Sequence, residues 1–287
     1  MEILIDKMYG PCGGINNAFS CVYKSSNKIK IYGNLAHNRL LMNKLKYNRN
    51  IRVIYSLDDV YNYDTVVIRS HGISLSDMDI LKKKKCNIID KTCYNVKKVQ
   101  SIAENAQKNN KTLILTGNKN HPEVKGISSR CIKTFVVDSL ESTKNLTMNV
   151  NFNAENVVLA SQTTFDIDKF NEISDFLRNK FKNIEIYDSI CRDHINRRER
   201  ILNVGNFIDY CIVVGDKNSS NSMNLYKIAQ NICDSEIVED PDDFDVESLK
   251  GRNRIYITCA ASVLKESVEK LISKIKNLIN IKIKQIV

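Results

Sequence analysis

The chain has 287 residues, of which 43% are hydrophobic and 26% charged, with a net charge of +10 and nine cysteines. That length allows a sizeable core or two or three small domains, and no run approaches the roughly 18 apolar residues of a membrane span. An odd number of cysteines and an N-terminus that already reads as a strand argue against a disulfide framework and lead us to expect a cytoplasmic protein.

Ile3 to Ile5 reads as a strand. It runs into Tyr9-Gly10-Pro11-Cys12-Gly13-Gly14, and Ile15 to Tyr23 reads as a helix. Cys12 thus sits in a glycine-flanked turn. Glycine lets a ligand approach the backbone there, and a helix N-terminus favours a thiolate; a simple turn with a buried thiol is the plainer alternative. A second strand, Ile29 to Tyr32, leads through Gly33 and His37 to a helix ending near Lys46. Val66 to Ile68 is a strand whose tip carries Arg69, His71 and Gly72, with a helix from Leu75. That helix holds Lys82 to Lys85, the one basic block, expected as a solvated face because no aromatic residues are interleaved for base stacking. Asn87 to Asp90 precedes Cys93 and a helix over Asn95 to Asn110, so Cys93 repeats the strand, turn, Cys, helix order of Cys12.

Thr112 to Thr116 is a buried strand. The loop after it delivers His121 and Glu123, with Pro122 between them, and a helix begins near Val124. An imidazole and a carboxylate at the C-terminal end of a strand lie where open α/β sheets place ligands. Such a pair can move protons near neutral pH. It is equally a helix start, with Pro in the first turn and Glu favoured by the dipole. Thr134 to Asp138 is a strand followed by a polar segment. Val157 to Ala160 ends in Ser161-Gln162-Thr163-Thr164, hydroxyls that cap the helix over Asp166 to Phe181 or bind an oxyanion.

Ile184 to Tyr187 leads to Cys191, the third cysteine of this kind. His194 and Asn196 follow in the first turn of a helix from Arg192 to Phe207. Tyr210 to Val214 feeds a polar loop from Gly215 to Ser222, which opens a helix through Gln230. Its Lys, Ser, Ser, Asn run after a strand suits a phosphate cradle of N–H groups and hydroxyls, without the Walker pattern. Arg254 to Thr258 is the last strand, its tip runs to Ser262, and a C-terminal helix follows.

Strands and helices alternate, so an α/β fold with mostly parallel sheets is expected. Three similar small lobes are expected, over 14–94, 95–188, and 189–287 with the N-terminal strand 1–13. Cys21, Cys86, Cys131, Cys211, Cys233 and Cys259 lie in or beside apolar segments and read as small buried hydrophobes. Cys12, Cys93 and Cys191 do not. All four histidines, His37, His71, His121 and His194, lie at strand tips or just beyond. The cysteine spacings of 81 and 98 residues contain no Cys-x-x-Cys. Three distant thiolates suit zinc with an open position or an iron–sulfur cube, and spacing does not choose between them.

The ordered set resembles the 4-hydroxy-3-methylbut-2-enyl diphosphate reductase family (the IspH or LytB family). The resemblance rests on Gly10-Pro11-Cys12-Gly13-Gly14, Ala36-His37-Asn38, Arg69-Ser70-His71-Gly72 and Asp90-Lys91-Thr92-Cys93. It continues through His121-Pro122-Glu123-Val124-Lys125-Gly126, Gln162-Thr163-Thr164, Asp188 to Cys191 with Asn196-Arg197, Val213 to Ser222, and Thr258 to Ser262. The family implies three lobes around a [4Fe-4S] cluster held by Cys12, Cys93 and Cys191, with the fourth iron open to substrate or water. It implies that His37, His71, Ser219, Ser220, Asn221 and Ser262 hold a diphosphate, that His121 and Thr163 close the pocket, and that Glu123 supplies the proton that lets an allylic hydroxyl leave as water. Reduced ferredoxin or flavodoxin is the implied electron donor, and neither membrane nor nucleic acid is an expected partner. The sequence departs from the family pattern at Pro11, Gly13, Lys125, Asp216 and Ala260. It also departs at His194, which reads as a proton donor, a hydrogen-bond tuner of the cluster or an outward-facing residue. A non-enzymatic iron–sulfur or zinc regulator that binds RNA through the basic surface is the competing reading, and a reductase of another phosphorylated substrate is a third.

Overall fold

The computed structural model describes residues 1–150, 156–278 and 282–286. The chain begins β1 (Glu2–Asp6), α1 (Gly13–Tyr23), β2 (Ile29–Tyr32), α2 (Arg39–Lys46), β3 (Ile51–Ile54), β4 (Thr65–Ile68), α3 (Leu75–Lys83) and β5 (Asn87–Asp90). It continues α4 (Tyr94–Lys108), β6 (Thr112–Thr116), α5 (Pro122–Ser128), β7 (Thr134–Val137), α6 (Leu140–Asn149), β8 (Val157–Ser161), α7 (Ile167–Lys180) and β9 (Glu185–Ile186). It ends α8 (Arg192–Val204), β10 (Tyr210–Val214), α9 (Ser220–Gln230), β11 (Asp234–Val238), β12 (Arg254–Cys259), α10 (Lys265–Leu278) and β13 (Lys282–Ile286).

Three separate sheets form, and every strand pair among the described residues is parallel. Two have four strands, in the orders β3-β2-β4-β5 and β7-β6-β8-β9, and the third has five, in the order β11-β10-β12-β1-β13. The chain is thus three α/β lobes with parallel sheets. The first strand joins the last sheet, where Ile3 pairs with Ile255 and Ile5 with Ile257.

By compactness the chain divides into two units. Unit 1 is Met1–Tyr23, Asn34–Arg49 and Arg192–Val287; unit 2 is Lys24–Gly33 and Asn50–Cys191. Unit 1 is built on the five-stranded sheet. Its interior strand β10 is buried along its whole length, and Ile212 and Val213 on it share one core with Leu225, Ile257, Val268 and Leu271. Burying each such side chain contributes about 1.5–3 kcal/mol. Unit 2 carries both four-stranded sheets, with one core around Val66, Ile68 and Leu81 and another around Val99, Leu113, Leu115 and Ile127.

Several helix starts follow the sequence closely, because a side chain there accepts an otherwise unpaired N–H group. Asn38 caps α2, Ser74 α3, Asp166 α7 and Ser219 α9. The polar segment after Asp138 is itself a helix, α6, whose Ser139 and Ser142 form a reciprocal capping box. The basic block also differs from expectation. Lys82, Lys83 and Lys85 are exposed, but Lys84 turns inward and its Nζ donates to the carbonyls of Leu57 at 2.7 Å and Val60 at 2.6 Å. All nine cysteines are free thiols. Of the six read as buried hydrophobes, Cys131, Cys211 and Cys259 are buried, and Cys21, Cys86 and Cys233 are half-buried. Among the described residues no helix is long and apolar enough to cross a membrane.

Candidate functional site

In unit 2 the polar groups gather on the tips of β4, β6 and β8. His121 is the N-cap of α5, and its Nδ1 accepts the backbone N–H of Glu123 at 3.2 Å. The helix start seen in the sequence is therefore real. Yet the Glu123 side chain turns inward and is only 1% exposed. Its Oε1 accepts the Thr163 backbone N–H at 2.6 Å, and its Oε2 accepts the Thr163 hydroxyl at 3.0 Å. Burial pushes the Glu123 pKa up to about 7, against those two bonds, which favour the ionised form. Near neutral pH the carboxyl is therefore divided between its acid and base forms, in contact with a hydroxyl that donates to the ionised form.

Thr163 is held from both sides. The Gln162 N–H donates to Thr116 O at 2.8 Å, and Thr163 O accepts the Cys191 N–H at 2.8 Å. His71 and His121 meet edge to face with ring centres 5.2 Å apart. The turn behind His71 depends on Gly72, whose φ of +74° is left-handed and whose added Cβ would lie 2.5 Å from Gln100 Nε2. Cys93 is the N-cap of α4, and its N–H donates to Ser70 O at 2.9 Å. Cys191 lies on the last residue of this unit, and Asn95 Nδ2 donates to its Sγ at 3.2 Å.

Unit 1 carries the other predicted residues. Cys12 lies in the turn before α1, and its N–H donates to Ala261 O at 2.9 Å. Ser262 is buried on the tip of β12, and its Oγ donates to His37 O at 3.3 Å. Ser219 is the N-cap of α9 and its Oγ accepts the Ser222 N–H, while Ser220 and Asn221 begin the helix. Gly215 makes this start possible: a Cβ there would lie 2.5 Å from Ser222 Oγ. Asn221 Nδ2 and Ser222 Oγ are buried with no hydrogen-bond partner. An unpaired buried donor is costly unless a ligand completes it.

The family described as LytB protein matches residues 3–276. The chain belongs to the LytB family. A relative described as 4-hydroxy-3-methylbut-2-enyl diphosphate reductase, from Nautilia profundicola, is 31% identical, with 95% of this chain and 98% of the relative covered. One of the same description from Caldanaerobacter subterraneus subsp. tengcongensis is 35% identical over 97% of this chain and 98% of the relative. Among solved structures, the E-1-hydroxy-2-methyl-but-2-enyl-4-diphosphate reductase from Plasmodium falciparum superposes with a TM-score of 0.91 at 29% identity, covering 99% of this chain and 91% of that one.

Within this LytB chain one expectation is corrected. A [4Fe-4S] cluster on Cys12, Cys93 and Cys191 is not what the donor atoms support: among the described residues, the side chains that group as potential ligands of one metal ion are His37, His71 and His121. The strand-to-helix turn fixes where each thiol sits locally, at the start of α1, α4 and α8. Burial raises the Cys93 thiol pKa, the N–H groups of Asn95 and Val96 oppose that shift, and the nearby Cys191 and Glu123 charges add to it. Neutral imidazoles ligate without losing a proton.

One positioning residue, Asn95, escaped the sequence reading, and a second, Arg197, was marked there only as part of a motif and given no role. Asn95 lies two residues into the pattern that begins at Cys93, a local signal that could have been followed. Arg197 is buried on α8, and its guanidinium donates to Asp193 Oδ2 at 2.8 Å, Cys259 O at 2.8 Å and Gly10 O at 3.0 Å. It thereby fastens the turns that carry Cys12 and Ser262, through carbonyls that no sequence pattern marks.

Proposed function

We propose that the chain reductively dehydroxylates 4-hydroxy-3-methylbut-2-enyl diphosphate to isopentenyl and dimethylallyl diphosphate, the terminal step of non-mevalonate isoprenoid biosynthesis. The balance is one substrate, two electrons and two protons to one product and one water. The C–O bond of the allylic alcohol breaks, one proton leaves with the hydroxyl as water, and the second adds to either end of the allyl unit. The observation that carries the reading is Glu123: a fully buried carboxyl with a pKa near 7, bonded to Thr163, in a LytB chain.

Glu123 supplies the proton for the leaving hydroxyl, directly or through the Thr163 hydroxyl, since an acid works best with a pKa near the working pH. In unit 1, Ser219, Ser220, Asn221, Ser262 and His37 hold the diphosphate. The unpaired donors at the start of α9 support this, because backbone N–H groups, hydroxyls and amides at a helix N-terminus are suited to an anion. Reduced ferredoxin or flavodoxin delivers the electrons, and a chain of net charge +10 favours an acidic carrier. Anaerobic turnover with reduced viologen tests the reading. Both five-carbon diphosphates should appear with water as the only other product, and a preparation that binds the substrate yet yields neither would sink it.

A further inference from the structure

His194 has no part in the activity described so far. It is the third residue of α8 and only 6% exposed, so the outward-facing reading is excluded. Its Nδ1 lies 2.5 Å from Asn221 Oδ1, across the packed pair α8 and α9. An amide oxygen can only accept, so His194 carries its proton on Nδ1 and donates it. The amide of Asn221 is planar, so pinning Oδ1 fixes the direction of Nδ2. That Nδ2 is the buried donor left without a partner at the first turn of α9, next to the equally unpartnered Ser222 Oγ. Asn221 is more than nine-tenths buried, so solvent does not satisfy it.

We propose that His194 is a positioning residue for diphosphate recognition, its Nδ1–H holding the Asn221 amide so that Nδ2 is presented as a donor at the start of α9. This rests on the reading of α9 as the diphosphate cradle. The consequence is specificity for the anion rather than for the reacting carbon, because His194 acts on the ligand through Asn221. Loss of the bond frees the amide to rotate, and the donor is then no longer pre-aimed.

Three variants of the full chain separate this role from mere packing. His194→Asn keeps an N–H close to the place of Nδ1, His194→Gln puts its N–H nearer the place of Nε2, and His194→Leu fills the space with no donor. Inorganic diphosphate is titrated into each by calorimetry, and KM and kcat are measured with the hydroxymethylbutenyl diphosphate. The Leu and Gln variants should bind diphosphate about tenfold more weakly, with KM raised alike and kcat within about twofold, while the Asn variant stays within about threefold of wild type. Should His194→Leu fail to fold, the Asn and Gln variants decide. Equal affinity in wild type and the Gln variant, or equal loss in the Asn and Gln variants, overturns the proposal. A wild-type protein that binds diphosphate but makes no five-carbon product would overturn the reductase reading alone, since the binding arms still decide the role of His194.

Discussion

The first turn of α5 and the first turn of α9 begin alike and are completed differently. Each follows a parallel strand, and each is capped by a polar side chain, His121 in one and Ser219 in the other. In α5 both carboxylate oxygens of Glu123 have donors, the N–H and the hydroxyl of Thr163. In α9 Asn221 Nδ2 and Ser222 Oγ have none. A buried acid with its bonds complete is set to hold and release a proton without rearranging. A buried donor pair with bonds missing is set to receive a ligand that supplies them. On the proposed function, the same strand-to-helix turn serves proton chemistry in one place and anion binding in the other.

The comparison breaks most visibly at Glu123. Replacing it by Gln keeps the shape and removes the proton, so kcat should fall by about 100- to 10,000-fold, read as product formed under reduced viologen. A Gln variant within tenfold of wild type would remove Glu123 from the chemistry. The next effect is on stability. The Glu123 pKa is raised from an ordinary 4.5 to about 7, so between those values the folded protein holds a proton that the unfolded chain has released. Stability from this group is full below pH 4.5 and is lost as pH rises through 7, by about 3 kcal/mol in all. Urea midpoints across that window should fall with pH in wild type and show that much less fall in Glu123→Gln. Parallel profiles would mean that the carboxyl is not held neutral.

Thr163→Val is a finer cut, because it deletes the hydroxyl and keeps the backbone N–H. The carboxylate loses a donor, so its pKa should move further up and the alkaline limb of kcat with it, while kcat falls about tenfold. A limb that moves down would contradict the assigned direction of that bond. The smallest effect is expected at Asn221→Ala. KM for the diphosphate substrate should rise about tenfold and kcat should hold within about twofold, since this side chain meets the ligand away from the reacting carbon.

What could be read in the chain follows the same division between local and distant causes. Central strands such as Tyr210–Val214 are buried end to end, and their apolar runs are plain in the sequence. The three strands that no run announces, β3, β11 and β13, are all at sheet edges. Asp234–Val238 buries only Val238 fully, and an edge strand half in water has no need of a continuous apolar face. Helix α6 was hidden for a related reason, because the residues it buries are Thr143 and Thr147 rather than leucines. At the site, the positions of Cys12, Cys93, Cys191, His121 and Ser219 at helix starts were legible, being set by neighbours in sequence. Which of them share a partner was not. The bond between Glu123 and Thr163 spans 40 residues, and that between His194 and Asn221 spans 27. The cysteine ligand set was likewise an expectation from resemblance, and the group of potential ligand atoms is one of imidazoles instead.

The division of labour between the two helix starts is tested most directly by one measurement, calorimetric titration of inorganic diphosphate into wild type, Glu123→Gln and Asn221→Ala side by side. The account predicts that Glu123→Gln binds as wild type does and that Asn221→Ala binds about tenfold more weakly. Equal weakening in both variants, or none at Asn221→Ala, would contradict it.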